Sequence, residues 1–174
     1  MRAAVCRAYG PPSSVEVVEV PVPEPGPGQV RVAVRAAAVN FPDNLLIAGR
    51  YQVRVEPPFV PGSEFAGVVE ALGDGVAGLE PGEPVFGAVM TGAFAEKVVA
   101  PATSLQRIPE GLDFVSAAAF GVAYGTAYHA LRSVAAPAPG EWVCVLGAAG
   151  GVGLASVDVA VVLGVRVVAV ASSP

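Results

Sequence analysis

VCVLGAAGGVGLASVDVAVVLGVRVVAVASSP, residues 143–174, decides how the chain is read. An apolar run from Trp142 to Leu146 has the length and continuity of a parallel strand buried on both faces. A glycine-rich turn follows it, then a helix, then a second apolar strand that ends at two serines. A strand that feeds such a turn at the start of a helix is the setting in which a dinucleotide pyrophosphate is held. Gly150 and Gly151 permit the tight turn and a close backbone approach, and Gly153 permits close packing of the helix on the sheet. The amides from Ala149 through Gly150, Gly151 and Val152 to Gly153 face the anion. In the G-x-G-x-x-G pattern the first glycine falls on Ala148, with Gly147 beside it. The bland alternative is an ordinary strand–turn–helix with small residues.

The end of the second strand bears on the choice of nucleotide. An Asp or Glu there binds a ribose 2′-OH and repels a 2′-phosphate. The sequence AVASSP has Ser172 and Ser173 and no acid. Serines can donate to a phosphate, so NADPH is the expected cofactor. The alternative is that both are plain loop residues.

Composition sets the outer limits. Hydrophobic residues make up 53% and charged residues 14%, which argues for a sizeable core and against disorder. The 21 glycines and 17 prolines are spread along the chain, as expected for many turns between strands. A net charge of -5 argues against nucleic acid or an anionic membrane as partner. Cys6 and Cys144 lie in separate apolar runs and read as two buried thiols of a reducing compartment. No secretory h-region opens the chain, and the last apolar run is broken by Asp158 and Arg166. A cytoplasmic protein is expected.

The first part of the chain is β-rich. RAAVCRA, SVEVVEVPVPE, QVRVAVRAAAVN, PGSEFAGVVEALGDGV, EPGEPVFG and GAFAEKVVAP read as strands or strand–turn segments. In QVRVAVRAAAVN, Arg31 and Arg35 mark one wet face. NFPDNLLIAG reads as a short helix, with Pro42 and Asp43 in its first turn and Gly49 closing it. Near Pro109 the chain turns Ala-rich with helical spacing. Asp113 is a candidate cap, and Gly121 a candidate break between two helices.

VNFPDNLLIAGRYQ, PPFVPGSEFAGVVEALGDGV, GAFAEKVV and AYGTAYHAL…GAAGGVG together resemble the medium-chain dehydrogenase/reductase superfamily. Within it they resemble the zinc-free NADPH:quinone oxidoreductase branch. The resemblance implies an α/β architecture. A chaperonin-10 (GroES)-like β domain over residues 1–115 would be followed by the first β-α-β unit of a Rossmann domain over 116–174. Zinc-dependent members carry Cys at the position of Asn40 and His-Glu at Ser63-Glu64, and neither Asn nor Ser is an ordinary zinc ligand. The four-cysteine lobe is also missing, and the single histidine, His129, reads as a surface residue. A metal-free site is therefore expected.

The implied reaction is hydride transfer from NADPH to a quinone or an α,β-unsaturated carbonyl. Asn40 and Tyr51 would flank nicotinamide and substrate, Tyr51 donating to the carbonyl oxygen or delivering a proton and Asn40 orienting substrate or cofactor. Thr126 would meet the nicotinamide carboxamide. Alternatives stay open at each position: a surface aromatic for Tyr51, a helix cap for Asn40, a bond to its own helix for Thr126, and a purely structural role for Glu64. The resemblance also implies a homodimer when full-length. A doubly wound sheet has several strands beyond these two, so a truncated chain is expected. Two further readings stand beside the oxidoreductase: a non-catalytic remnant or half of a split protein that binds a partner, and an enoyl-CoA reductase of the acryloyl-CoA type.

Overall fold

A computed structural model describes residues 1–172 and divides them into two units, Met1–Ala119 and Phe120 onward. In the first unit β1 (Arg2–Val5) pairs antiparallel with β2 (Glu16–Glu19). A five-stranded antiparallel sheet is built from β3 (Gln29–Ala38), β4 (Glu64–Leu72), β5 (Pro84–Ala88), β6 (Lys97–Pro101) and β7 (Leu105–Arg107). Its spatial order is β6-β3-β4-β5-β7, so β4 is central. Alternation along these strands sends Val30, Val32, Phe65, Val69, Val85 and Val98 into one core, each at most 3% exposed. Burying a side chain of this kind stabilises the fold by about 1.5–3 kcal/mol.

The opposite register of β3 carries the arginines. Arg31 pairs with Glu24 at 2.8 Å and Glu70 at 2.7 Å, and Lys97 joins it on Glu70. These cations, Lys97 first, hold the Glu70 carboxyl below its ordinary range. Strand β7 carries no sequence signal of its own. Three residues are too few to display a period, and its place comes from pairing with β5.

Between β3 and β4 runs α1 (Phe41–Ile47), whose backbone enters extended at Asn40 with φ -112° and ψ 154°. Pro42 sits in the first turn, where a missing N–H costs nothing. Asp43 closes the start: its Oδ2 accepts the Asn40 N–H at 2.7 Å, and its own N–H donates to the Asn40 carbonyl at 3.0 Å. Leu46 and Ile47 pack against Cys6 and Phe59. Gly49, at φ +65°, ends the helix in the left-handed conformation that glycine adopts without a steric cost.

A second short helix, α2 (Phe114–Ala118), is capped by Asp113, whose carboxylate accepts the Ser116 N–H at 2.8 Å. Its Ala117 and Ala118 pack on Ala66 and Phe86 of the sheet.

The second unit opens with α3 (Gly121–Tyr128), which continues as a wider π-wound stretch over His129–Ala135. Gly121 was expected to separate two helices. The break lies at Ala119–Phe120 instead, and Gly121 is the first residue of α3. Strand β8 (Trp142–Leu146) runs parallel to β9 (Arg166–Val170), and α4 (Gly151–Val162) joins them. Leu131, Ala160 and Val165 form the local core.

Strand β8 departs from expectation in two respects. It was expected to be buried on both faces, yet Trp142 is 65% and Leu146 77% exposed; Cys144, read as a buried thiol, is exposed too. Trp142, Cys144 and Leu146 alternate along β8 and so share one exposed face, whereas Val143 and Val145 face the packed side. No described helix is long and apolar enough to cross a membrane.

Asp43 is 1% exposed, and burial pushes its carboxyl above the ordinary 3.8; hydrogen bonding, the Asn40 amide first, pulls the other way. A folded value above the unfolded one gives a stabilising contribution that is complete below about pH 3.8 and is lost as pH rises through the raised value. Asp43→Asn keeps an oxygen for the Asn40 N–H and removes the ionisation. In the intact protein that carries this chain, denaturant midpoints from about pH 4 to pH 8 should diverge in favour of the variant as pH rises. Parallel curves would show that Asp43 titrates as it does in the unfolded chain.

Candidate active site

Asn40 is held at both ends by carboxyl groups. Its backbone N–H goes to Asp43 in the first turn of α1, and its side-chain Nδ2 donates to Glu64 Oε2 at 3.0 Å. Both acids are 1% exposed. Register explains how they meet: Ala38, two residues before Asn40, pairs with Glu64, so the end of β3 delivers Asn40 beside the start of β4. The cap at this helix start is therefore made by Asp43, while the Asn40 side chain turns to the sheet. Among the described residues, Asp43 Oδ1 has no hydrogen-bond partner of ordinary geometry. Ser63 and Gly62 face this carboxylate and favour its charged form, a smaller effect than the burial that opposes it.

In the sequence, Asp43 is marked as a first-turn residue of α1, and nothing local marks a partner for Glu64. The capping-box spacing from Asn40 to Asp43 carried the signal for the first. No local signal carried the second.

Tyr51 lies four residues beyond the end of α1, and its half-buried ring packs against the cluster of Cys6, Leu46, Ile47 and Phe59. Asn40 and Tyr51 thus stand at the two ends of one helix, whose seven residues span roughly 10 Å at 1.5 Å each. The apolar packing anchors the ring of Tyr51, in contrast to a free surface aromatic.

In the second unit the glycine turn leaves β8 through Gly147, at φ +71°. This is the left-handed position of the turn, while Gly150 has an ordinary φ of -81° and caps α4. Gly150 N–H donates to Gly147 O at 3.0 Å, closing the loop. Gly153 is needed for space: a Cβ there would lie 2.1 Å from Gly147 O and 2.8 Å from Ala148 Cα. The close approach is to the turn itself, whereas the sequence reading placed it against the sheet.

The first amides of α4, at Gly151, Val152 and Gly153, have no carbonyl one turn back inside the helix and point off its N-terminus. Ala149 lies in the turn just before them. Ala148 N–H donates to Val170 O at 2.9 Å, which ties the turn to the end of β9. Ser172, exposed just beyond β9, therefore shares an edge with the glycine turn at the C-terminal ends of two parallel strands. Ser173 lies outside the described residues.

Thr126, exposed on α3, donates its hydroxyl proton to Val122 O at 2.6 Å, which is the helix-bonding alternative; the oxygen keeps its acceptor capacity. His129 is exposed on the π-wound stretch. Among the described residues no group of three or more His, Cys, Asp or Glu side chains is placed to hold a metal ion.

Residues 26–110 match the family described as Alcohol dehydrogenase GroES-like domain. The chain is 43% identical over 169 residues to the Quinone oxidoreductase-like protein 2 homolog of Nematostella vectensis, covering 96% of this chain and 46% of that protein. It is 47% identical over 143 residues to the Pikromycin polyketide synthase component PikAII of Streptomyces venezuelae, covering 82% of this chain and 4% of that protein. Among solved structures, the quinone oxidoreductase of Thermus thermophilus, described with its NADPH complex, is 42% identical with a TM-score of 0.88; the match covers 100% of this chain and 54% of that one. The chain thus spans about half the length of the quinone oxidoreductase-like proteins it matches. By sequence and by fold, the chain belongs to the medium-chain dehydrogenase/reductase superfamily, in its quinone oxidoreductase branch.

Proposed function

We propose that the intact protein carrying this chain is a zinc-independent, NADPH-dependent oxidoreductase that reduces quinones or conjugated enones by hydride transfer. The observation that carries this reading is the shared edge of the second unit, where the Gly147–Gly153 turn and Ser172 stand at the ends of parallel strands. Open α/β sheets hold their ligands outside the carboxyl ends of their strands. The residues there fit a dinucleotide. Amides from Ala149 to Gly153 supply donors for a pyrophosphate, and Gly153 leaves room for the backbone to close on itself. Ser172, with Ser173 following in sequence, supplies hydroxyl donors for a 2′-phosphate. NADPH, when bound, supplies the hydride.

The chain's own residues orient and polarise. Thr126, its proton committed to Val122, has an oxygen suited to accept from a carboxamide N–H. Tyr51 donates to the carbonyl oxygen of the substrate, where negative charge grows as the hydride arrives. Asn40, clamped by Asp43 and Glu64, orients substrate or nicotinamide. Ser63 and Asn40 are poor zinc ligands, and the Asn40 amide nitrogen is already bonded to Glu64. The likeness to a polyketide synthase component favours a second reading with the same chemistry, in which the conjugated carbonyl is an enoyl thioester.

Three measurements on the intact protein test this reading. Elemental analysis of protein purified without added metal should find well under one zinc per chain; stoichiometric zinc surviving a chelator would overturn the metal-free assignment. NADPH should bind more tightly than NADH, with an advantage that shrinks as salt screens the 2′-phosphate; equal or tighter binding of NADH would remove Ser172 from phosphate recognition. Tyr51→Phe should lower kcat by about ten- to a thousandfold on 1,4-benzoquinone or a small enone. An unchanged kcat would take Tyr51 out of the mechanism. The ratio of kcat/KM for benzoquinone to that for an enoyl thioester separates the two substrate readings.

A further inference from the structure

We propose that Glu64 is the positioning residue for Asn40, fixing which end of the Asn40 amide carries the oxygen. This rests on the reading above, in which Asn40 orients substrate or nicotinamide. The two ends of a side-chain amide are nearly the same size, so shape alone does not choose between them. Glu64 Oε2 chooses, because a carboxylate accepts and cannot donate. With Nδ2 at 3.0 Å from that oxygen, the flipped amide would set two oxygens against each other in a site where Glu64 is 1% exposed. Burial of Glu64 weakens screening of such a contact, which favours the unflipped amide.

The carboxylate is itself well anchored. Glu64 is the first residue of the central strand, opposite Ala38 on one side and Ala88 on the other. Its main chain is thus held in the sheet rather than on a loop. Asn40 has its own main chain fixed by Asp43 Oδ2 at 2.7 Å. Two carboxyl groups from two elements therefore define position and orientation together: Asp43 sets where the residue sits and Glu64 sets how its amide faces. A residue that orients a reacting group must hold its own rotamer, and supporting hydrogen bonds on rigid elements provide that. A glutamate that merely braced α1 against the sheet would affect stability and leave turnover per folded molecule unchanged.

A double-mutant cycle in the intact protein separates the two roles, with NADPH and 1,4-benzoquinone as substrates and melting temperature recorded for every variant. Glu64→Leu keeps volume and removes the acceptor, whereas Glu64→Gln keeps an acceptor oxygen. Per folded molecule, Glu64→Leu should lower kcat/KM by about ten- to a hundredfold, and Glu64→Gln, whose amide can donate as well as accept and so no longer excludes the flipped Asn40, should fall between Glu64→Leu and the parent. In an Asn40→Ala background, Glu64→Leu should cost less than about a further twofold, because it acts through a side chain already removed. Should Glu64→Leu fail to fold, Glu64→Met, with an unbranched chain of similar reach, replaces it in the cycle. Losses that add in full, or a Glu64→Leu enzyme with parental kcat/KM, would overturn the positioning role while leaving Asn40 in the site if Asn40→Ala alone is slow. An Asn40→Ala enzyme with parental kcat/KM would overturn both the positioning role and the assignment of Asn40 on which it rests.

Discussion

A carboxyl group taken out of water must find donors or give up its charge, and the first unit buries two of them, one on a helix and one on a strand, against the same residue. Asp43 and Glu64 are each 1% exposed, and both bond to Asn40. That constraint organises the region between β3 and β4. It sets the start of α1 through the Asn40 N–H, and it draws the Asn40 side chain onto the sheet. The direction of α1 is then fixed from its first turn, and the apolar residues at its far end, Leu46 and Ile47, meet Cys6 and Phe59. Tyr51 follows from there. Both candidate groups of the first unit take their places from one short helix that begins at a buried acid.

In the function proposed above, the second unit meets a different problem, how to bring main-chain donors close to a bulky anion. A side chain at the turn would keep a ligand away, and a side chain on the first turn of α4 would keep the turn away. Gly147 supplies the left-handed conformation, and Gly153 removes the Cβ that would collide with Gly147 O. The bond from Ala148 to Val170 then joins this loop to the end of β9, so the donor cluster and Ser172 share one edge. Each contribution is small, but together they leave the helix-start amides on the same edge as the Ser172 hydroxyl.

Much of this was legible in the chain itself, because the features are local. Alternation over Gln29–Ala38 marks a strand with one wet face, and Pro42 with Asp43 marks a helix start, since both patterns work over two to four residues. Asp113 capping α2 and the strand–turn–helix–strand of the second unit belong to the same class. At Gly121, where the helix break falls two residues earlier than expected, several small residues stand nearby. Composition cannot say which of them adopts the special conformation. Three-residue β7 offered no period at all.

The sequence by itself determined the element types, the glycine-turn context and the absence of ordinary zinc ligands at Asn40 and Ser63, because these depend on residue chemistry and near neighbours. Tertiary structure decided the rest. The Asn40–Glu64 bond spans 24 positions and exists only because β3 and β4 pair in the register that sets Ala38 opposite Glu64. Burial of Asp43 and exposure of Cys144 were likewise set by what packs around them, α1 against its sheet in one case and the exposed face of β8 in the other. Such contacts depend on how distant elements pair, and a chain read in order holds no local signal for that.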